Sequence, residues 1–332
     1  MIHESIIMTY EPPFTVSAKA IKMIAEISAL IERYVIRMEQ SDSLRLRRVN
    51  RIKTIQGSLA IEGNNLSESQ ITDILDGKKV VASIRAIQEA KNAIAAYELY
   101  GSLNPYSMKD LLKAHKVMMM ALVDEPGTFR ISGVGVFDGT KAVHIAPPSE
   151  RVPILMKDLF GWLKKSEDHL LIKSCVFHYE FEFIHPFSDG NGRIGRLWQS
   201  LILGGWHPFF EYLPVENMVH ANQQEYYQAI NQSSQAGNSG IFIDFMLNEI
   251  LTTLSMHQMK PDHDVGVSVG VNVGVKILDY ICENPGCRTN AIANAVGVTS
   301  RTVERHIREL RNQGKIEFRG APKNGGYFYI CT

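Results

Sequence analysis

Coiled into a helix, the fifteen residues Leu170–Ile184 (LLIKSCVFHYEFEFI) are apolar on most faces. A helix of that kind cannot lie on a surface; it has to be enclosed by other elements. It runs straight into HPFSDGNGRIGRLW, His185–Trp198, where three glycines break the pattern before a second apolar run starts. The enclosing elements are legible as helices too. Ile21, Ile24, Ile27, Ile31 and Val35 form one stripe in AIKMIAEISALIERYVIRM, and helical periodicity recurs at 44–63, 82–101, 107–122, 154–166, 219–232 and 241–259. Gly63 and Gly101 act as stop signals. The chain therefore reads as mainly α.

Two stretches depart from that texture. Residues 126–150 are rich in Gly, Val and Pro, and Asp138-Gly139 between β-prone runs predicts a hairpin over 134–145. Residues 261–275 repeat V-G-V at a four-residue period, which disfavours a helix by roughly 1 kcal/mol per glycine and predicts a linker. Beyond it, helix, short helix, turn at Gly297, longer helix and a hairpin across Asn324-Gly325 spell a winged helix-turn-helix. The expected division is 1–105, 106–260, linker 261–275, and 276–332.

Lys+Arg and Asp+Glu both number 35, so no global field draws the chain to nucleic acid or to a membrane. Cys175, Cys282, Cys287 and Cys331 show no metal-ligand spacing and read as reduced thiols. No 18-residue apolar stretch and no signal-like N-terminus are present, so a cytoplasmic protein without membrane contact is expected.

Gly190, Gly192 and Gly195 have the spacing G-x-G-x-x-G, and Glu211 follows at about the distance of a ribose-binding acid. A nicotinamide site would need alternating strands and helices, which this helical context lacks. A phosphate loop of the Walker type would need Lys-Ser/Thr where Arg196-Leu197 stand. An EF-hand fails at Ile194 and Ser200. What remains is an anion nest: small residues expose backbone N–H groups at the start of a helix. Arg193 and Arg196 sit on one face of its first turns, where cations oppose the helix dipole unless an anion lies between them. Asp189 is a hard oxygen ligand suited to Mg²⁺ on phosphates, and His185 is the loop's base near neutral pH. Together they describe nucleotidyl or phosphoryl transfer.

HPFSDGNGRIGR resembles the Fic family signature, H-P-F-x-D/E-G-N-G-R-x-x-R, at every specified position, and the likeness extends over roughly residues 10–240. The resemblance implies a Fic-type helical bundle with the hairpin as a flap, a transferase moving AMP from ATP to a protein Ser, Thr or Tyr hydroxyl. It implies His185 as base, Asp189 as the Mg²⁺ ligand, and Asn191 with the N–H groups of Gly190 and Gly192 on the α-phosphate. Arg193 and Arg196 would clamp the β- and γ-phosphates. Phe187 reads as a core plug orienting the loop. Asn222, with Tyr226 or Tyr227, falls where the family builds its adenine pocket, an ordinary amphipathic helix being the alternative. The flap 134–145 would hold a target segment by strand addition.

SLAIEG, Ser58–Gly63, presents a separate problem. Glu62 stands in the last turn of a helix, where a carboxylate meets the negative end of the dipole. The same family carries an inhibitory helix of pattern S/T-x-x-x-E-G/N, matched by Ser58, Glu62 and Gly63 within a helix of about 54–63. By resemblance, Glu62 pairs with Arg196 and blocks the productive γ-phosphate pose. Two other readings stay open: the same site run backwards, with Glu62 activating water to remove AMP, and a DNA-binding regulator whose Fic-like part senses nucleotide. His115, His144, His178 and His207 read as structural, His178 pairing with Glu182 one turn on. In 276–332 nine basic residues face five acidic ones, leaving +4, so DNA or a protein partner are both open there. A homodimer is likewise left open by the resemblance.

Overall fold

The computed structural model describes residues 10–38, 43–133, 135–138, 141–211, 213, 219–259, 277–278, 280–282, 284–296, 300–312, 315–320 and 325–329. The chain divides into two compact units, Met1–Met259 and Lys260–Thr332. The predicted linker 261–275, Gly139, Gly297 and Asn324 lie outside the described residues.

The first unit is helical. Its helices are α1 (Ala18–Met38), α2 (Ser43–Ile61), α3 (Glu68–Leu75), α4 (Ile84–Glu98), α5 (Met108–Met118), α6 (Val152–Lys165), α7 (Leu170–Ile184), α8 (Asn191–Gly204), α9 (Gln223–Ala236) and α10 (Gly240–Met259). As its composition requires, α7 is enclosed: Leu171–Phe181 and Ile184 are buried, with α6, α8 and α10 packed around it. Edge-on ring contacts lock this centre, Phe160 against Phe177 at 5.4 Å and against Trp198 at 6.2 Å. Such pairs contribute about 0.5–1.5 kcal/mol beyond the area they bury.

Local chemistry sets the helix starts. Ser67 and Gln70 form a reciprocal capping box at α3, while Ser83 and Ser107 cap α4 and α5 by accepting from Ala86 and Asp110 N–H. The short α3 was not expected from periodicity. Its apolar face amounts to Ile71, with Ile74 and Leu75 half-buried, too few to register against a helical pattern. A second correction concerns α1. The buried stripe is Ala20, Met23, Ile27 and Ile31, whereas Ile21 is 62% exposed. Both stripes share Ile27 and Ile31, and the small Ala20 is fully buried where Ile21 was expected on the stripe.

Strands β1 (Gly135–Asp138) and β2 (Lys141–Ile145) pair antiparallel, Gly135 opposite Ile145 and Asp138 opposite Lys141. The register shifts between Val136 and Phe137, which leaves Val143 as the extra residue of a bulge.

The second unit contains α11 (Thr289–Val296), α12 (Ser300–Asn312), β3 (Ile316–Arg319) and β4 (Gly326–Tyr329), the strands paired antiparallel. Its own core is Ile277, Ile281, Ile292, Val303, Ile307, Leu310 and Ile316. Main-chain bonds also join Gly286 and Cys287 to Tyr327, bringing Gly286 against Gly326 so closely that a Cβ on Gly326 would overlap the Gly286 backbone.

Each unit closes its own core, so a chain ending at Met259 should stay folded. Its circular dichroism melt should be cooperative, with a Tm within a few degrees of the full chain's first-unit transition. A non-cooperative or insoluble product would place the boundary elsewhere.

Candidate active site

The turn between α7 and α8 is built from two left-handed residues, His185 (φ 49°, ψ 62°) and Gly190 (φ 83°). Glycine takes that conformation freely; a non-glycine residue is held there by its surroundings at a cost of order 1 kcal/mol. Arg130, buried to 5% exposure, does most of the holding. Its guanidinium donates to the carbonyls of Ile184, His185, Ser132 and Pro147, and its main-chain N–H donates to Pro186. One side chain thus fastens both feet of the hairpin to the His185 turn.

The rest of the loop is clamped from beneath. The Asn191 side-chain amide accepts from Phe187 N–H and donates to its carbonyl, both at 2.9 Å. Phe187 is fully buried and stacks on His115 at 3.6 Å, as a core plug should. His115 accepts from Gly127 N–H through Nδ1, which leaves Nε2–H to donate to the Asp189 carbonyl. Burial pushes its pKa down to about 4, so it works as a neutral clamp.

With the loop so held, the first N–H groups of α8 are capped by no side chain. Around this helix start stand Arg193 and Arg196, each 3% exposed. Asp189 accepts from Gly190 N–H at 2.6 Å and from Arg193 at 3.2 Å, and it faces Arg85 at 3.6 Å. Glu89 lies 3.1 Å from Arg85 and 4.0 Å from Arg193, so two guanidinium groups alternate with two carboxylates. The Arg193 Nε is buried and without a hydrogen-bond partner.

Glu62 fills the cradle. Helix α2 ends in a Schellman turn: Gly63 (φ 84°) and Asn64 donate to the carbonyls of Ala60 and Leu59. Asn64 then bonds to Ala86 and Glu89, tying the turn to α4. Glu62, at the C-cap, is thereby aimed at α8. Its Oε1 lies 2.8 Å from the Arg196 Nη2, which also donates to the Ser58 carbonyl at 3.0 Å. Gly192 makes room, since a Cβ there would stand 2.6 Å from the Glu62 carboxylate. Burial works against the charge of Arg196, but Glu62, Tyr226 and Glu182 together outweigh it and the guanidinium pKa is raised. The carboxylate at an unfavourable helix end is therefore answered by a buried cation and by the positive end of another helix.

The remaining expected residues are placed differently. His178 does not pair with Glu182, which stands 4.0 Å away; its nitrogens bond to Gln199 at 2.6 Å and Tyr226 at 2.9 Å. Both partners come from other helices and outcompete a neighbour one turn along. Burial lowers the His178 pKa to about 4. Asn222 spends its amide on Glu249 at 2.8 Å. Tyr226 is buried, and Tyr227 is half-exposed within the field of Glu62 and Arg196. Glu182 was read from sequence only as a partner of His178, and Arg130, Arg85 and Glu89 were missed. An arginine in a Gly/Pro-rich connection was the one signal for Arg130, and the others looked like ordinary charged helix faces.

Among the described residues no group of three or more His, Cys, Asp or Glu side chains could hold a metal ion. Asp189 offers a single carboxylate, which suits Mg²⁺ only when phosphate oxygens and water complete the shell. No helix among the described residues is long and apolar enough to cross a membrane.

Residues 105–203 match the Fic/DOC family, and residues 274–317 match the winged helix-turn-helix DNA-binding family. A protein adenylyltransferase Fic of Culex quinquefasciatus is 33% identical over 190 residues, covering 50% of this chain and 37% of that protein. The chain thus spans little more than a third of that relative's length. A probable protein adenylyltransferase of Aquifex aeolicus is 26% identical over 235 residues, 61% of this chain and 68% of that one. The solved structure of a Fic family protein from Desulfovibrio desulfuricans G20 is 39% identical, with a TM-score of 0.74 over 97% of this chain and 99% of its own. With the signature intact at the turn it forms and that likeness running the length of the chain, this protein belongs to the Fic family.

Proposed function

We propose that the first unit transfers AMP from ATP to a Ser, Thr or Tyr hydroxyl of a protein, and that Glu62 restrains it. The observation that carries this is the seat of the Glu62 carboxylate, on the start of α8 and 2.8 Å from Arg196, where an anion cradle holds an anion of the chain's own. Relatives described as protein adenylyltransferases support the reaction type.

In this reading the N–H groups at the start of α8 hold the α-phosphate. The Asn191 amide braces Phe187, so in this reading the main-chain groups would supply most of the contact. Arg193 and Arg196 take the β- and γ-phosphates. The target oxygen bonds to the α-phosphorus as the bond to the bridging oxygen breaks, pyrophosphate leaves, and the hydroxyl proton passes to His185. Nδ1 of His185 faces the Glu182 carbonyl at 3.4 Å, an acceptor, which makes Nε2 the proton-accepting nitrogen. Asp189 would hold Mg²⁺ together with the phosphates, where the ion's charge offsets theirs. Asn222 is bonded to Glu249, so Tyr227 is the better partner for a base of the two. The edge of the hairpin, its feet fastened by Arg130, would take an extended target segment by strand pairing.

Glu62→Gly should raise automodification with labelled ATP by at least about 10²-fold, because a misaligned α-phosphate costs that order of rate. Adding Arg196→Ala should remove the gain. Adding His185→Ala should instead cut transfer by about 10²–10⁴-fold with ATP binding retained. An unchanged rate in Glu62→Gly would leave Ser58–Gly63 a plain helix end. Loss of AMP from a premodified protein, dependent on Glu62, would favour the reverse reaction.

For the second unit the reading is duplex DNA. On α12 Val303, Ile307 and Leu310 face the core, which leaves Arg305, Arg308 and Arg311 exposed on the other side. Arg319 on β3 covers Phe328 and pairs with Glu317, ordering the wing. Replacing Arg305, Arg308 and Arg311 by Ala should weaken duplex binding at least about tenfold and flatten its salt dependence, as measured by fluorescence anisotropy. Binding that ignores salt, or no binding, would assign this unit to a protein partner.

A further inference from the structure

Glu182 has no part in the chemistry described above, yet it occupies an unusual position. It lies on the last turn of α7, its side chain 12% exposed, with Oε1 buried and without a hydrogen-bond partner. Gly195 on α8 leaves the space that this oxygen fills, since a Cβ there would stand 2.9 Å from it. Its other oxygen is 3.9 Å from Nδ1 of His185. The groups facing this carboxyl are His178 from its own helix, His185 from the turn after it, Arg196 from α8, Glu62 from the end of α2, and Tyr226 and Tyr227 from α9.

A buried carboxyl without a full set of hydrogen bonds destabilises a fold rather than supporting it. His178, the neighbour at helical spacing, is already satisfied by Gln199 and Tyr226 and makes no use of it. What Glu182 does face is the side of the His185 ring that must keep its proton. The long 3.4 Å contact from Nδ1 to the Glu182 carbonyl is a weak restraint by itself. At 3.9 Å the carboxylate is too far to accept Nδ1–H, but its charge favours a proton on the Nδ1 side and the imidazolium formed when Nε2 takes a proton.

We infer that Glu182 is a positioning residue for His185: the charge of its carboxylate favours the imidazole tautomer with Nδ1 protonated, so that the unprotonated Nε2 takes the hydroxyl proton. This rests on the transfer reading of the site for its effect on rate, but not for its effect on the ring. The carboxyl is also tuned by what surrounds it. Burial raises its pKa to about 7; Arg196 opposes that rise and Glu62 adds to it. Withdrawal of Glu62 from the cradle removes one of the charges holding the carboxyl neutral, so withdrawal of Glu62 and ionisation of Glu182 favour one another. As pH falls, protonation of Glu182 removes this charge, and transfer is lost on the acid side.

The test is Glu182→Gln in the full chain, alone and with Glu62→Gly. Imidazole NMR should show the His185 titration midpoint moved to lower pH and its Nδ1–H tautomer less populated. Thermal unfolding should be unchanged or at a higher Tm, since Gln removes a buried charge. With Glu62→Gly, kcat for automodification should fall about tenfold, with KM for ATP within about twofold and the acid limb of the pH profile moved down. An unmoved His185 titration and tautomer would overturn the proposal, as would a rate loss explained by a lower Tm or by weaker ATP binding. If Glu62→Gly itself transfers no AMP, the function proposed above fails, and the NMR result still decides the role of Glu182.

Discussion

A guanidinium withdrawn from water must be answered by an anion, and Arg196 is withdrawn almost completely, at 3% exposure. It stands at the start of α8, where the helix dipole already favours negative charge, so the site asks twice for an anion. Glu62 supplies one from the end of α2, itself a position where a carboxylate needs a cation. Each residue removes the other's difficulty. The arrangement of α2 against α8, the space left by Gly192 and the Schellman turn at Gly63 all serve this contact. A triphosphate would satisfy the same demand, so under the proposed function restraint and substrate binding would compete for one guanidinium.

That competition has meaning only if the loop keeps its shape with either occupant. The loop achieves this by bonding mostly to itself and to groups behind it. Arg130 gathers four carbonyls, Asn191 closes on Phe187, and neutral His115 bridges Gly127 and Asp189 while stacking on Phe187. None of these contacts uses the N–H groups at the start of α8, which stay directed at whatever anion is present. The charged ring of Arg85, Glu89, Arg193 and Asp189 is softer. Its distances run from 3.1 to 4.0 Å, and Arg85 and Asp189 are partly exposed, so its ion pairs are the part of the site most open to rearrangement.

What a reader of the bare sequence can determine here is local. Periodicity marks the helices, Gly63 and Gly190 mark where they end and begin, and an apolar run such as Leu170–Ile184 demands a bundle around it. The loop's chemistry follows from residue types within twelve positions of one another. Even the anomaly of Glu62 is visible, because dipole and charge are both properties of one helix. No local rule answers that anomaly: Arg196 lies 134 residues further on, so only the family resemblance points to it in the sequence, and tertiary structure brings the two together. The same holds for His178, whose partners arrive from α8 and α9, for Asn222, which bonds to Glu249 on α10, and for Arg130, which reaches across 55 residues to the His185 carbonyl. Desolvation decides these pairings. A buried polar group bonds to whatever the packing of helices delivers, and that packing is fixed by apolar faces which carry no record of the polar partners they bring together.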